Sequence, residues 1–80
     1  MIEDLKQKIT IFSGINIDND DIIYGNGAQV KSICFVQLIA YIEDEYFSGI
    51  EADLLSQIVD TFETITTTQL CEYIKKCLQQ

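Results

Sequence analysis

The sequence predicts an all-α fold, a small four-helix bundle, on three observations. Apolar residues recur at helical spacings in separate segments, proline is absent, and no strand-like alternation of any length occurs. A chain of 80 residues makes one domain, 1–80, and is too short for a deep substrate cavity.

Each element has its own signature. Ile2, Leu5, Ile9 and Phe12 form the stripe of a first helix running from about residue 2 to Ser13, with Gly14 as its stop. Residues 15 to 31 hold Asn16, Asp18, Asn19, Asp20, Asp21, Gly25, Asn26 and Gly27 around Ile22-Ile23-Tyr24, which predicts a long loop between helices one and two pinned by apolar residues. Loops of that length in compact domains tend to be functional. The second helix is expected from about Ser32 to Tyr46, with Ser32 as its N-cap and Ser48-Gly49 ending it. A short third helix is expected between Glu51 and Val59, where Leu54, Leu55, Ile58 and Val59 share a face, with Thr61-Phe62 extending or ending it. Thr66 and Gln69 have the spacing of a capping box, Ile65 and Leu70 that of a hydrophobic staple. They open a fourth helix with the stripe Leu70, Tyr73, Ile74, Cys77 and Leu78.

Composition narrows the function. Thirteen acids against five lysines, with no arginine or histidine, give a net charge of −8, which repels nucleic acid and anionic membranes and favours partners with basic surfaces. Salt or divalent cations are expected to stabilise the fold by screening the carboxylates. Without histidine, the usual general base for a serine or cysteine nucleophile is missing, and Asp20-Asp21 and Asp44-Glu45 lie on polar surfaces with no pocket to shift their pKa, so a non-catalytic protein is expected. Cys34, Cys71 and Cys77 are odd in number and lack CxxC spacing, so they read as buried or half-buried free thiols. No apolar run approaches 18 residues and the N-terminus lacks signal-peptide features, which makes a cytoplasmic monomer the expectation. Asn16 to Asp21 alternates oxygen ligands like a calcium loop, but counting from Asn16 puts Asp21 at the turn glycine and Gly27 at the bidentate glutamate, so a solvated acidic loop is favoured and no metal is expected. Gly25-Asn26-Gly27 lacks the strand and third glycine of a dinucleotide fingerprint and reads as a turn.

The second helix has two apolar faces. At about 100° per residue, Phe35, Leu38, Ile39, Ile42 and Tyr46 make the core face, while Ile33, Val36 and Ala40 form another strip flanked by Glu43 on one side and by Gln37 and Asp44 on the other. Either the third helix covers that strip, or it is a docking surface with an apolar centre and an acidic rim. Ser32, at the mouth of this helix, reads either as an ordinary cap or as an attachment point whose phosphate ester the helix N-terminus would favour.

Lys31-Ser32-Ile33, the acidic and aromatic Glu43-Asp44-Glu45-Tyr46, Ile50 and Ile65-Thr66-Thr67 together resemble the acyl carrier protein family over essentially the whole chain. The resemblance implies a carrier-type bundle in which a phosphopantetheinyl transferase, using coenzyme A and magnesium, attaches a 4′-phosphopantetheine arm to Ser32. That arm would hold acyl intermediates as thioesters and deliver them to acyl-transferring, condensing or other enzymes of fatty acid, polyketide or related specialised biosynthesis. Lys31, Ile33, Val36, Gln37, Ala40, Glu43, Asp44 and Ile50 would be the docking positions. Leu38, Ile39, Ile42, Tyr46, Phe62, Leu70 and Ile74 would line the core or a small acyl cleft. Lys31 replaces the family's usual aspartate, Cys34 replaces a position that is often acidic, and Gln37 neutralises another. These departures imply unusual partners and a specialised carrier. The alternative is a degenerate carrier-fold adaptor, unmodified at Ser32, that binds proteins through helix two.

Overall fold

The computed structural model describes residues 1–47 and 53–79. Among them the order is α1 (Ile2–Ser13), β1 (Ile22–Tyr24), α2 (Ser32–Tyr46), α3 (Leu54–Thr61), β2 (Ile65–Thr66) and α4 (Thr67–Leu78). The chain is mostly helical, as its periodicity predicts. It is not purely so, because β1 and β2 pair antiparallel, Ile22 opposite Thr66 and Tyr24 opposite Ile65 with an irregularity between. Both strands are rich in β-branched residues, yet they are too short for alternation to be visible, and the pairing joins segments some forty residues apart.

α1 ends where glycine allows it to. Gly14 adopts φ 74° and donates its N–H to the Thr10 carbonyl at 2.8 Å, a left-handed stop that a residue with a Cβ resists. Leu5 and Ile9 are buried beneath this helix, and Asp4 ties it to α2. The Tyr41 and Tyr46 hydroxyls both donate to Asp4 Oδ2 at 2.7 Å. Tyr46 is therefore half-buried, packing against the core while its hydroxyl reaches α1.

α3 runs from Leu54 to Thr61 with Phe62 as its C-cap, so Thr61-Phe62 extends and ends it as the sequence allows. Asp53 is its cap, accepting from the Ser56 N–H at 3.2 Å. The expected start at Glu51 and the expected stop of α2 at Ser48-Gly49 lie outside the described residues. At α4 the capping box forms in both directions. The Gln69 N–H donates to Thr66 Oγ1 at 3.2 Å, and the Thr66 N–H donates to Gln69 Oε1 at 2.9 Å. Ile65 and Leu70, the staple positions, are fully buried. The Thr68 N–H and hydroxyl both donate to the Asn19 carbonyl at 3.1 Å, so the start of α4 also pins the long loop.

The buried residues form one cluster with contributions from every helix, from β1 and β2, and from the loop residues Ile17 and Val30. The cysteines are free thiols, Cys71 buried and Cys34 and Cys77 half-buried. Among the described residues, no helix is long and apolar enough to cross a membrane.

Candidate functional site around Ser32

Ser32 is not the cap of α2. The cap is Lys31, whose extended backbone (φ −69°, ψ 151°) presents its carbonyl to the N–H groups of Cys34 at 3.0 Å and Phe35 at 3.2 Å. Val30, buried just before it, fixes this entry to the helix and shifts the first helical residue to Ser32. The consequence is chemical. The Lys31 cap makes no side-chain hydrogen bond, Ser32 is exposed, and among the described residues its hydroxyl has no hydrogen-bond partner. The first turn carries no acid, and Lys31 adds a cation to the positive end of the helix dipole.

Two clefts flank Ser32. One, of about 290 Å³, reaches the Ser32 side chain and is lined by Ile23, Tyr24, Gly25, Ala28, Val30 and Phe35. Its aromatic wall is the Tyr24–Phe35 pair, with ring centroids 5.0 Å apart and planes tilted by 32°. Gly25 closes the far side at φ 92°, where a Cβ would overlap the Glu63 carbonyl oxygen. The second cleft, about 430 Å³, shares Ala28 and Val30 but is bordered by Lys31, Gln29, Ser13 and Cys34 as well as by Phe12 and Ile15. Cys34 is held there by donating its thiol to the Phe12 carbonyl at 3.4 Å. Of the residues expected to line the core or a small acyl cleft, Leu38, Ile39, Ile42, Leu70 and Ile74 are core and Tyr46 and Phe62 pack half-buried against it, and none lines the cleft at Ser32. Tyr24, Ala28 and Val30 replace them. For Tyr24 the signal was its place in the apolar Ile22-Ile23-Tyr24 cluster of the long loop; Ala28 and Val30 lie outside that cluster and had none.

The second apolar strip of α2 is open. Ile33 is 61% and Val36 42% exposed, and Ala40 is exposed with them, so α3 does not cover this face. Lys31, Gln37 and Asp44 are exposed beside it. Glu43 differs: it is half-buried, and its Oε2 accepts the Leu54 N–H at 3.3 Å, tying α2 to the start of α3. Ile50 lies outside the described residues.

Other polar features serve the fold. In the acidic loop Asp21 Oδ2 accepts the Asp18 N–H at 2.9 Å, and among the described residues no three His, Cys, Asp or Glu side chains gather in a way that could hold a metal ion. Asp4 is held below its ordinary carboxyl pKa, chiefly by the Tyr41 hydroxyl and then by that of Tyr46. Neither feature lies at Ser32.

No family model, curated protein or solved structure matches this chain. Ser32 has distinctive surroundings: an exposed hydroxyl at the first position of a helix, one cleft that it helps to line and another bordered by Lys31, and an exposed apolar strip beginning one residue later.

Proposed function

We propose that this chain is an acyl carrier protein of the small helical-bundle type, modified at Ser32 and without catalytic activity of its own. The observation that carries this reading is the exposed Ser32 hydroxyl, left uncommitted at the start of α2 because the Lys31 backbone forms the cap. In the modification, Ser32 Oγ attacks the pantetheine-side phosphorus of coenzyme A. A new P–O bond forms to serine, the diphosphate P–O bond breaks, adenosine 3′,5′-bisphosphate leaves, and the serine proton passes to a base of the transferase. The N–H groups opening α2 and the Lys31 ammonium favour the phosphodiester anion that results. Once attached, the 4′-phosphopantetheine arm supplies a terminal thiol that carries acyl groups as thioesters.

Ile33, Val36 and Ala40 give partner enzymes an apolar footing, and Asp44 gives basic partners a charge to meet. Gln37 adds a neutral polar edge, while Glu43 contributes mainly by holding α3 in place. The clients are acyl-transferring, condensing or related biosynthetic enzymes, and a monomer in the cytoplasm suits a diffusing carrier. Tethering serves them by raising the effective concentration of the intermediate.

A second reading keeps the docking strip and drops the arm. Lys31 favours it, because a cation beside Ser32 repels the basic surface of a general transferase. Intact-protein mass after incubation with coenzyme A, magnesium and a broad-specificity transferase separates the two. The carrier reading expects a gain of one phosphopantetheinyl group that disappears in Ser32→Ala. A folded protein that gains nothing, from this transferase or from those of its source organism, overturns that reading in favour of the adaptor.

A further inference from the structure

We propose that the cleft between β1 and the start of α2 is a binding site for a neutral, single-ring apolar group; that the group arrives tethered at Ser32 rests on the carrier reading. Three features of the cleft define this ligand. The first is charge: Ile23, Val30 and Phe35 are buried, and among the described residues no charged side chain lines the space, whose polar side chains are those of Ser32 and Tyr24. An ionised end, such as the free carboxylate of a dicarboxylic acyl group, would lose its hydration there without gaining a partner.

The second feature is size. An apolar cavity of about 150 Å³ takes benzene. The cleft's roughly 290 Å³, about twice that, admits one ring with its connecting carbonyl. The third is shape, for the Tyr24 and Phe35 rings, 5.0 Å apart and tilted 32°, form a wall against which a further ring packs in an offset or edge-to-face arrangement. Gly25, also in the lining, packs closely against the Glu63 carbonyl. The adjoining cleft differs in carrying Lys31, Gln29 and Ser13 on its border beside Phe12, Ile15 and Val30.

The test uses soluble thioesters, which probe the cleft whether or not Ser32 is modified. Isoleucine and valine methyl resonances of the full chain are followed by NMR during titration with S-benzoyl-, S-decanoyl- and S-succinyl-N-acetylcysteamine. Saturable shifts at Ile23 and Val30 are expected with the benzoyl probe, binding at least tenfold weaker with the decanoyl probe, and none with the succinyl probe. Phe35→Leu, which keeps an apolar floor but removes one ring, is expected to weaken benzoyl binding about fivefold while the remaining methyl spectrum reports a folded protein. Absence of benzoyl binding, or decanoyl or succinyl binding of equal strength, overturns the assignment. The carrier reading stands or falls separately on the mass gain at Ser32: loading without benzoyl binding refutes the cleft alone, and benzoyl binding without loading refutes the tether alone.

Discussion

Replacing Gly25 by alanine tests how closely the loop before α2 is built against the turn before β2, and Gly14→Ala supplies the control. Both glycines hold left-handed backbone, φ 92° at Gly25 and φ 74° at Gly14. Adding a Cβ in that region costs roughly 1–2 kcal/mol, and the stiffer unfolded chain returns about 0.4–1 kcal/mol. These contributions are common to the two variants and nearly cancel in their difference. The surroundings do not cancel: nothing lies within 4 Å of a Cβ at Gly14, whereas at Gly25 it would overlap the Glu63 carbonyl oxygen and come within 3.0 Å of Thr64 Cγ2. Relieving that conflict requires backbone to move, and overpacking of this kind costs about 1–3 kcal/mol. Gly25→Ala should therefore be less stable than Gly14→Ala by about 1–3 kcal/mol. At roughly 4–8 °C per kcal/mol for a domain of this size, the melting temperatures should differ by about 10 °C. Urea unfolding followed by circular dichroism measures the free energies, and thermal melts check them. Equal stabilities, or a milder effect at Gly25, would refute the close approach that shapes one side of the Ser32 cleft.

The remaining predictions concern charge and capping. Because the Asp4 pKa is lowered, first by the Tyr41 hydrogen bond and then by that of Tyr46, its contribution is present above the unfolded value of 3.8 and lost as pH falls through the folded one. The stability difference between the native chain and Asp4→Asn should thus be constant near neutrality and shrink in acid below roughly pH 4, as read by urea midpoints across pH. Tyr41 is pushed up to about 12, chiefly by the same hydrogen bond, and Tyr46 is raised further in the same direction. Phenolate absorbance should show these ionisations moving back towards pH 10 in Asp4→Asn; unchanged titration would mean that the two hydroxyls do not share Asp4. Thr66→Ala removes one arm of the capping box and should cost about 1 kcal/mol, a drop of roughly 4–8 °C in melting temperature. Lys31→Asp replaces the cation beside Ser32 by an anion and should raise the kcat/KM for loading by a broad-specificity transferase about tenfold at low salt, with the gain shrinking as salt screens it. Equal loading rates for the two proteins would remove Lys31 as a determinant of partner choice.

Much of the fold was legible because helices declare themselves locally. The stripe from Ile2 to Phe12 with its glycine stop, and the Thr66/Gln69 box with its buried staple, each lie within a few turns of continuous chain, and the structure places them as read. The strands were not legible, since β1 has three residues and β2 two, and their pairing is a tertiary event. The cap of α2 was misplaced by one residue for a related reason. Serine has the higher intrinsic preference for that position, but burial of Val30 sets where the chain enters the helix, and the Lys31 carbonyl then accepts the first helical hydrogen bonds. The openness of the Ile33, Val36 and Ala40 strip depends on where α3 packs, and the docking of Glu43 onto the Leu54 N–H shows how α3 is tied to α2 without covering that strip.

Exposure of Ile33 and Val36 by itself decides little, because Ile11, Ile15, Val59 and Leu78 are exposed as well, and isolated apolar residues are ordinary on protein surfaces. The difference lies in what accompanies them. Ile33 and Val36 follow the Ser32 hydroxyl on the same helix and lead towards Asp44, whereas the groove beside Ile11 brings together Lys6, Gln7, Thr10, Asn16 and Ile17 without an uncommitted nucleophilic oxygen. Between Lys31 and Lys75 the sequence contains no lysine, so basic partners approaching α2 meet carboxylates at its C-terminal end and a single cation at its mouth. Lys31 therefore holds two opposed roles. Its backbone releases the Ser32 hydroxyl by forming the cap, while its side chain restricts which partners can bring a basic surface up to that hydroxyl.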